Sequence, residues 1–151
     1  MSKINWKNKC WVTTIFLVNK DNKVLLTWNK NLQTWIPVGG HIDKGESPQE
    51  AVKREVKEEI GCDFRFYGEN KENKGDVEVV KMHRFQIEKV PHHGQHMNFV
   101  FFGVCKDDLS VKETDEKEKL RWFSKEEIVD EKGMLESVRS SALAALNVIR
   151  F

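Results

Sequence analysis

An α/β fold of α+β kind, a sandwich with a mixed β-sheet between helices, is what this sequence predicts. Three observations carry it. Apolar, β-branched runs recur along the chain, one well-capped helix interrupts them in the middle, and a second amphipathic helix closes the chain. The run CWVTTIFLV (Cys10 to Val18) followed by NKVLLTW across a polar KDN turn predicts a hairpin. Thr34 to Val38 is a further short strand, and Gly39-Gly40 after it offers a sharp or close-approach turn. Ser47 as N-cap, Pro48 at the first helical position and Glu50 three residues after the cap predict a capping box, with Gly61 closing the helix. Strands are expected over Cys62 to Tyr67, Asp76 to Lys89, His96 to Cys105 and Leu120 to Phe123, separated by the polar loops ENKENKG and PHHGQ. Ser124 caps another short helix. The last helix, from about Met134, places Leu135, Val138, Ala142, Leu146 and Ile149 on one stripe, which covers the sheet or a second copy of the chain.

Composition narrows the function classes. With 151 residues, 39% hydrophobic and no repeat or linker, residues 1–151 are expected to form one domain with a real core. The formal charge is +1, which gives no broad field for a nucleic-acid polymer or an anionic membrane. Cys10, Cys62 and Cys105 are odd in number and in no CxxC pair, so a reducing compartment is expected rather than a disulfide framework or a zinc ribbon. The segment MSKINWKNKC has no apolar stretch of signal-peptide length, and no run approaches a membrane span. A soluble, cytoplasmic protein is the expectation.

Function concentrates in the central helix. Residues three and four apart are helical neighbours, so Glu55, Glu58 and Glu59 share a sector of about 100°. Val52, Val56 and Ile60 form the adjoining apolar stripe, and Lys53 and Lys57 point away, which leaves the carboxylates without cations from their own helix. On a fully exposed helix each like-charged pair costs only ~0.2 to 0.5 kcal/mol and needs no function. Beside a buried face, carboxylates this close repel by roughly several kcal/mol, and a divalent cation relieves it. Hard oxygen donors suit Mg²⁺, with Mn²⁺ possible.

The stretch from Gly40 to Cys62 resembles the Nudix box, GX5EX7REUXEEXGU with U a bulky aliphatic residue. Gly40, Glu46, Arg54-Glu55, Val56, Glu58-Glu59 and Gly61 stand at its fixed positions, and the one departure is Cys62 at the final U. The late segment LRWFSKEEI is similar to the segment closing many members. The resemblance implies an α/β/α sandwich and Mg²⁺-dependent hydrolysis of a nucleoside diphosphate linked to another moiety, a nucleoside triphosphate among the candidates. It implies Glu55, Glu58, Glu59 and the Gly40 carbonyl as metal ligands, and Glu46 paired with Arg54 to hold the loop on the helix. For the general base it leaves Glu55 and Glu58 in the box or a glutamate of a later loop, Glu113, Glu116 or Glu118, among which distance before Trp122 favours Glu116.

Beyond the box, Trp28, Trp35 and Phe85 are candidate stacking faces for a base, weighed against core roles. His92, His93 and His96 offer imidazoles, but Pro91 and Gly94 oppose a helix there and a polar loop is preferred to a metal site. His41 and Asn98 are weighed as substrate contacts against structural or solvent roles. The partner is expected to be a nucleotide or related small diphosphate, with a homodimer possible. Two competing functions remain: a non-catalytic nucleotide-sensing module, opposed by the intact set of box glutamates, and an isoprenoid diphosphate isomerase, opposed by the lack of an exposed reactive cysteine.

Overall fold

A computed structural model describes residues 9–68, 73–90, 93–106 and 120–151. The first strand, β1 (Lys9–Val18), is apolar on both faces because both are covered. It pairs parallel with β9 (Gly94–Cys105) over its whole length, the one parallel pairing in an otherwise antiparallel sheet among the described residues. β2 (Val24–Asn29) follows β1 in the expected hairpin, with Val18 opposite Val24. β10 (Leu120–Phe123) then extends this edge of the sheet, and β5 (Phe64–Phe66) extends the other.

Pro37 lacks the N–H that a continuous ladder needs, so the expected single strand over Thr34 to Val38 divides in two. β3 (Thr34–Ile36) pairs with β2, while β4 (Val38–His41) crosses to β1. The expected turn at Gly39-Gly40 is therefore a strand, with Gly39 opposite Thr14 and Gly40 opposite Thr13. The stretch from Asp76 to Lys89 is likewise divided. β6 (Asn73–Lys74) and β7 (Val77–Glu78) make a small ribbon, and β8 (Arg84–Val90) joins β9. The N-terminal halves of β1 and β9 are thus flanked by β4 and β8, and their C-terminal ends by β2 and β5.

Helix α1 (Pro48–Glu59) begins at the expected cap with half of the expected capping box: Ser47 Oγ accepts from the Glu50 N–H at 3.2 Å, without the return bond from the Glu50 side chain, and Gly61, at φ 72°, turns the chain away. Its Val52, Val56 and Ile60 pack on Ile15, Leu17, Leu25, Val38 and Phe101. The opposite face, with Phe16, Val18, Val24, Leu26 and Phe102, is covered by α2 (Lys125–Asp130) and α3 (Glu136–Val148) through Ile128, Val138, Ala142 and Leu146. The terminal stripe covers the sheet. The reciprocal capping box is complete at α2, where Ser124 and Glu127 satisfy each other's backbone N–H.

Candidate active site

The buried apolar stripe of α1 fixes how the helix is rotated, and that rotation turns Glu55 and Glu59 toward β4, with Glu58 at the edge of the same sector. Glu59 is 8% exposed, and its Oε2 accepts from the Gly39 N–H at 3.4 Å. The Glu55 side chain is 13% exposed, whereas that of Glu58 is 55% exposed at the open end of the sector. Gly40 lies against Glu55 so closely that a Cβ there would fall 2.9 Å from the Glu55 carboxyl carbon and nearer still to Oε1. Glycine is required here for close approach, and it keeps the strand backbone beside the carboxylate.

Arg54 ties the loop to the helix. Its Nε and Nη2 donate to the two carboxylate oxygens of Glu46 at 2.8 and 2.9 Å, a bidentate fork. Nη2 also donates to the His41 carbonyl at 3.0 Å, and the Asp43 N–H donates to Glu46 at 2.8 Å. Hydrogen bonding from Arg54 holds the Glu46 carboxyl below the usual glutamate range, and Glu46 in return raises the Arg54 guanidinium above its ordinary value. One expectation needs correction. The glutamate sector does receive a cation from its own helix, because Arg54 Nη1 reaches Glu55 at 3.0 Å and Glu58 at 3.4 Å. An arginine adjacent to Glu55 would project aside on helical phase alone, but its long side chain folds back between the loop and the helix.

The donor types fit a hard divalent cation: the Glu55 and Glu59 carboxylates lie against Gly40 and Gly39 of β4, and Glu58, joined to the same Arg54 as Glu55, stands at the exposed edge. Arg54 offsets part of their charge, leaving the sector net anionic.

A cleft of about 560 Å³ adjoins this site on the other face of β4 and includes Gly39, Gly40 and His41 in its wall. A polar chain runs from its wall, at Thr14, Asn98 and Glu88, to groups beyond it. Thr14 Oγ1 donates to Asn98 Oδ1 at 3.1 Å, and Asn98 Nδ2 donates to Glu88 at 2.9 Å. Gln86 donates to the same Glu88 oxygen at 2.7 Å and accepts from the Ser141 hydroxyl. A larger concavity of about 860 Å³ flanks the Lys53 and Lys57 side of α1, away from the carboxylates. The smaller cleft is the one continuous with Gly40, and its lining of polar groups over apolar walls suits an organic ligand better.

Trp35 is 9% exposed and packs edge-on against Trp28 and Phe123 in the core, while Phe85 lies 42% exposed on β8 against Phe99. Neither tryptophan nor Phe85 is among the described residues lining the cleft. Glu113, Glu116, Glu118 and His92 lie outside the described residues. Cys62 and Cys105 are buried, and Cys10 is partly exposed. Sequence reasoning did not join Cys10, His41, His93 and His96, which meet at one end of the cleft. Burial, reinforced by His93 and His41, lowers the His96 pKa to about 4. Nor did it find the Glu88–Asn98 chain, since strands distant in sequence carry no shared spacing.

The fold and this glycine-backed glutamate sector define a class: the chain belongs to the NUDIX domain family, whose model matches residues 9–146. Among solved structures, a NUDIX-family hydrolase from Clostridium perfringens superposes with a TM-score of 0.79 at 27% identity, covering 95% of this chain and 99% of that one. A Bacillus subtilis (strain 168) protein provisionally named an 8-oxo-dGTP diphosphatase is 28% identical over 110 residues, which are 73% of this chain and 63% of that protein. An RNA pyrophosphohydrolase of Hydrogenovibrio crunogenus is 44% identical over 64 residues, 38% of this chain and 37% of that one. The matched stretches thus span less than two thirds of these curated relatives.

Proposed function

We propose that this chain is a single-domain, divalent-metal-dependent pyrophosphohydrolase that cleaves the phosphoanhydride bond of a nucleoside diphosphate linked to another moiety, nucleoside triphosphates included. The observation that carries the proposal is Glu55 against Gly40 and Glu59 on the Gly39 N–H, with Arg54 joining Glu55, Glu58 and Glu46. Glu55, Glu58, Glu59 and the Gly40 carbonyl would hold Mg²⁺, or Mn²⁺ in its place. Such an ion neutralises diphosphate charge and makes water a better nucleophile.

The protein's own groups supply the rest. Arg54 sets the separation between Glu46 on the loop and Glu55 on the helix, so the acidic cluster is formed before substrate arrives. Glu58, the most exposed of the three, is open to a reacting water and serves as base or ligand; Glu116 is the candidate base from the later loop. The moiety beyond the diphosphate enters the adjoining cleft, where Asn98 and Glu88 present amide and carboxylate edges with which a heterocycle can pair. Trp28, Trp35 and Phe85 remain proposals of lower rank for stacking, since core packing accounts for the tryptophans.

No helix among the described residues is long and apolar enough to cross a membrane, and the cytoplasmic setting proposed here rests on three cysteines, odd in number and in no CxxC pair. The test is incubation with Mg²⁺ and a panel of nucleoside triphosphates, dinucleotides, 8-oxo-dGTP and 5′-triphosphorylated RNA, reading phosphate or pyrophosphate release. Turnover of a small diphosphate is expected. Binding without turnover of any member at high protein concentration would replace the enzyme with a sensing module.

A further inference from the structure

Sheet register assembles a second donor cluster, chemically unlike the carboxylates. On β1 the residues lining the cleft are Val12, Thr14 and Phe16, and Cys10, two residues before Val12, lies on the same face of the strand. Register sets Cys10 opposite His96 of β9 and Val12 opposite His41 of β4, so thiol and both imidazoles share one face. The turn into β9, closed by the His93 N–H on the Val90 carbonyl at 3.1 Å, brings His93 over the same spot.

Ligand atoms of Cys10, His41 and His93 all lie within 4.8 Å of one another, and Cys10 Sγ stands 3.4 Å from His93 Nε2. A tetrahedral zinc ion, with S at about 2.3 Å and N at about 2.0 Å, needs a sulfur–nitrogen edge of about 3.5 Å. The His96 ring centroid is 5.0 Å from that of His93 and 5.6 Å from that of His41, and its buried Nε2 has no hydrogen-bond partner among the described residues. A buried nitrogen without a partner is costly, so the cluster holds an unspent donor.

We propose that Cys10, His41 and His93 bind a borderline-soft divalent cation of the Zn²⁺ class, with the His96 imidazole packed beside them. Nitrogen and sulfur donors prefer such an ion, whereas the oxygen cluster on α1 prefers Mg²⁺, so the two sites sort cations by chemistry. The site stands independently of the hydrolytic reading. A cation here borders the same cleft as Gly39 and Gly40 and adds positive charge to its rim. Binding converts the Cys10 thiol to a thiolate, and its proton passes to solvent.

The full-length chain, stripped with chelator and kept in excess Mg²⁺, is titrated with Zn²⁺ by calorimetry in buffers of different ionisation enthalpy. One Zn²⁺ per chain should bind, resist displacement by Mg²⁺ and release the thiol proton. Co²⁺ in its place should give the near-ultraviolet charge-transfer absorption of a thiolate complex. Cys10→Ser should abolish that absorption and weaken Zn²⁺ about 100-fold or more, and His93→Gln should weaken it at least ~10-fold, since even partners behind a ligand are worth 10- to 100-fold. Glu58→Gln should bind Zn²⁺ as the wild type does. Absence of the thiolate band in the wild type, wild-type affinity in Cys10→Ser and His93→Gln, or loss of Zn²⁺ in Glu58→Gln instead would each overturn the proposal.

Discussion

Gly39 and Gly40 are adjacent, yet replacing each by alanine should break different things. A Cβ on Gly40 meets the Glu55 carboxyl carbon at 2.9 Å, where ordinary contact begins at 3.4 Å, so the carboxylate must retreat by about 0.5 Å or more. Glu55 is the end of a flexible side chain, so the fold can yield at little cost. Its carboxylate, however, is also held by Arg54 at 3.0 Å, and moving it disturbs the Glu46 fork. Catalytic groups must sit within about 0.5 Å of their working positions, and a displacement near 1 Å costs up to about 100-fold in rate. Gly40→Ala should therefore lower kcat/KM by about 10- to 100-fold, which is ~1.4 to 2.7 kcal/mol of transition-state stabilisation, while thermal unfolding shifts little. On Gly39 a Cβ strikes backbone instead, the Thr13 carbonyl and, at 2.8 Å, the Thr14 Cα. Strand pairing cannot yield as a carboxylate does. Gly39→Ala should destabilise the fold by roughly 1–3 kcal/mol, as overpacking does. Steady-state hydrolysis of the best substrate, paired with thermal unfolding, reads both effects. A fully active Gly40→Ala, or equal loss of stability in the two variants, would refute the reasoning.

Other expectations follow from the same contacts. Arg54→Lys keeps the charge but loses the fork that spans Glu46, Glu55 and the His41 carbonyl, so hydrolysis should fall about 10- to 100-fold, the range for partners that orient metal ligands; Glu46→Gln tests the other half of the pair. His83 stacks on Phe102 at 4.6 Å, accepts the Phe102 N–H on Nδ1 at 3.0 Å, and is pushed below the usual histidine range by burial. Its unfolded imidazole takes a proton below pH ~6.5 while the folded one does not, so stability is complete above that pH and lost as pH falls through the folded value. Melting curves between pH 7.5 and pH 5, as approximate limits around that histidine range, should show a shallower decline in His83→Gln than in the wild type. Ser124→Ala removes the α2 cap and should cost about 1 kcal/mol, a fall in Tm of ~2–4 °C.

Much of the candidate site's geometry was legible because it is local. The spacing of Glu55, Glu58 and Glu59 fixes their shared sector on a helix whose start and end are set by Ser47, Pro48 and Gly61, so no tertiary information was needed. The terminal stripe from Val138 to Ile149 was legible for the same reason, since period alone names its buried face. Where the chain turned on pairing, sequence signals pointed differently. Gly39-Gly40 has turn chemistry, but β1 needs a partner along Val12 to Ile15 and takes these glycines as strand. Arg54 was legible as the partner of Glu46, yet its reach to Glu55 and Glu58 depends on where the loop places that carboxylate. The Cys10 and His93 pair, separated by 83 residues, exists only through the parallel pairing of β1 with β9. Stacking candidates Trp28 and Trp35 illustrate the converse, since composition cannot separate a surface platform from an aromatic pair in the core.

The central claim is that the glutamate sector of α1 hydrolyses a diphosphate with a divalent cation, and Glu58→Gln tests it most directly. The substitution keeps size and removes one charge at a position whose side chain is 55% exposed, so the fold should be retained. Measured with Mg²⁺ on the substrate that the wild type turns over, hydrolysis should fall by about 100-fold or more, because each ~1.4 kcal/mol of lost transition-state stabilisation is a factor of ten. A folded Glu58→Gln protein with wild-type kcat and an unchanged Mg²⁺ requirement would contradict the claim.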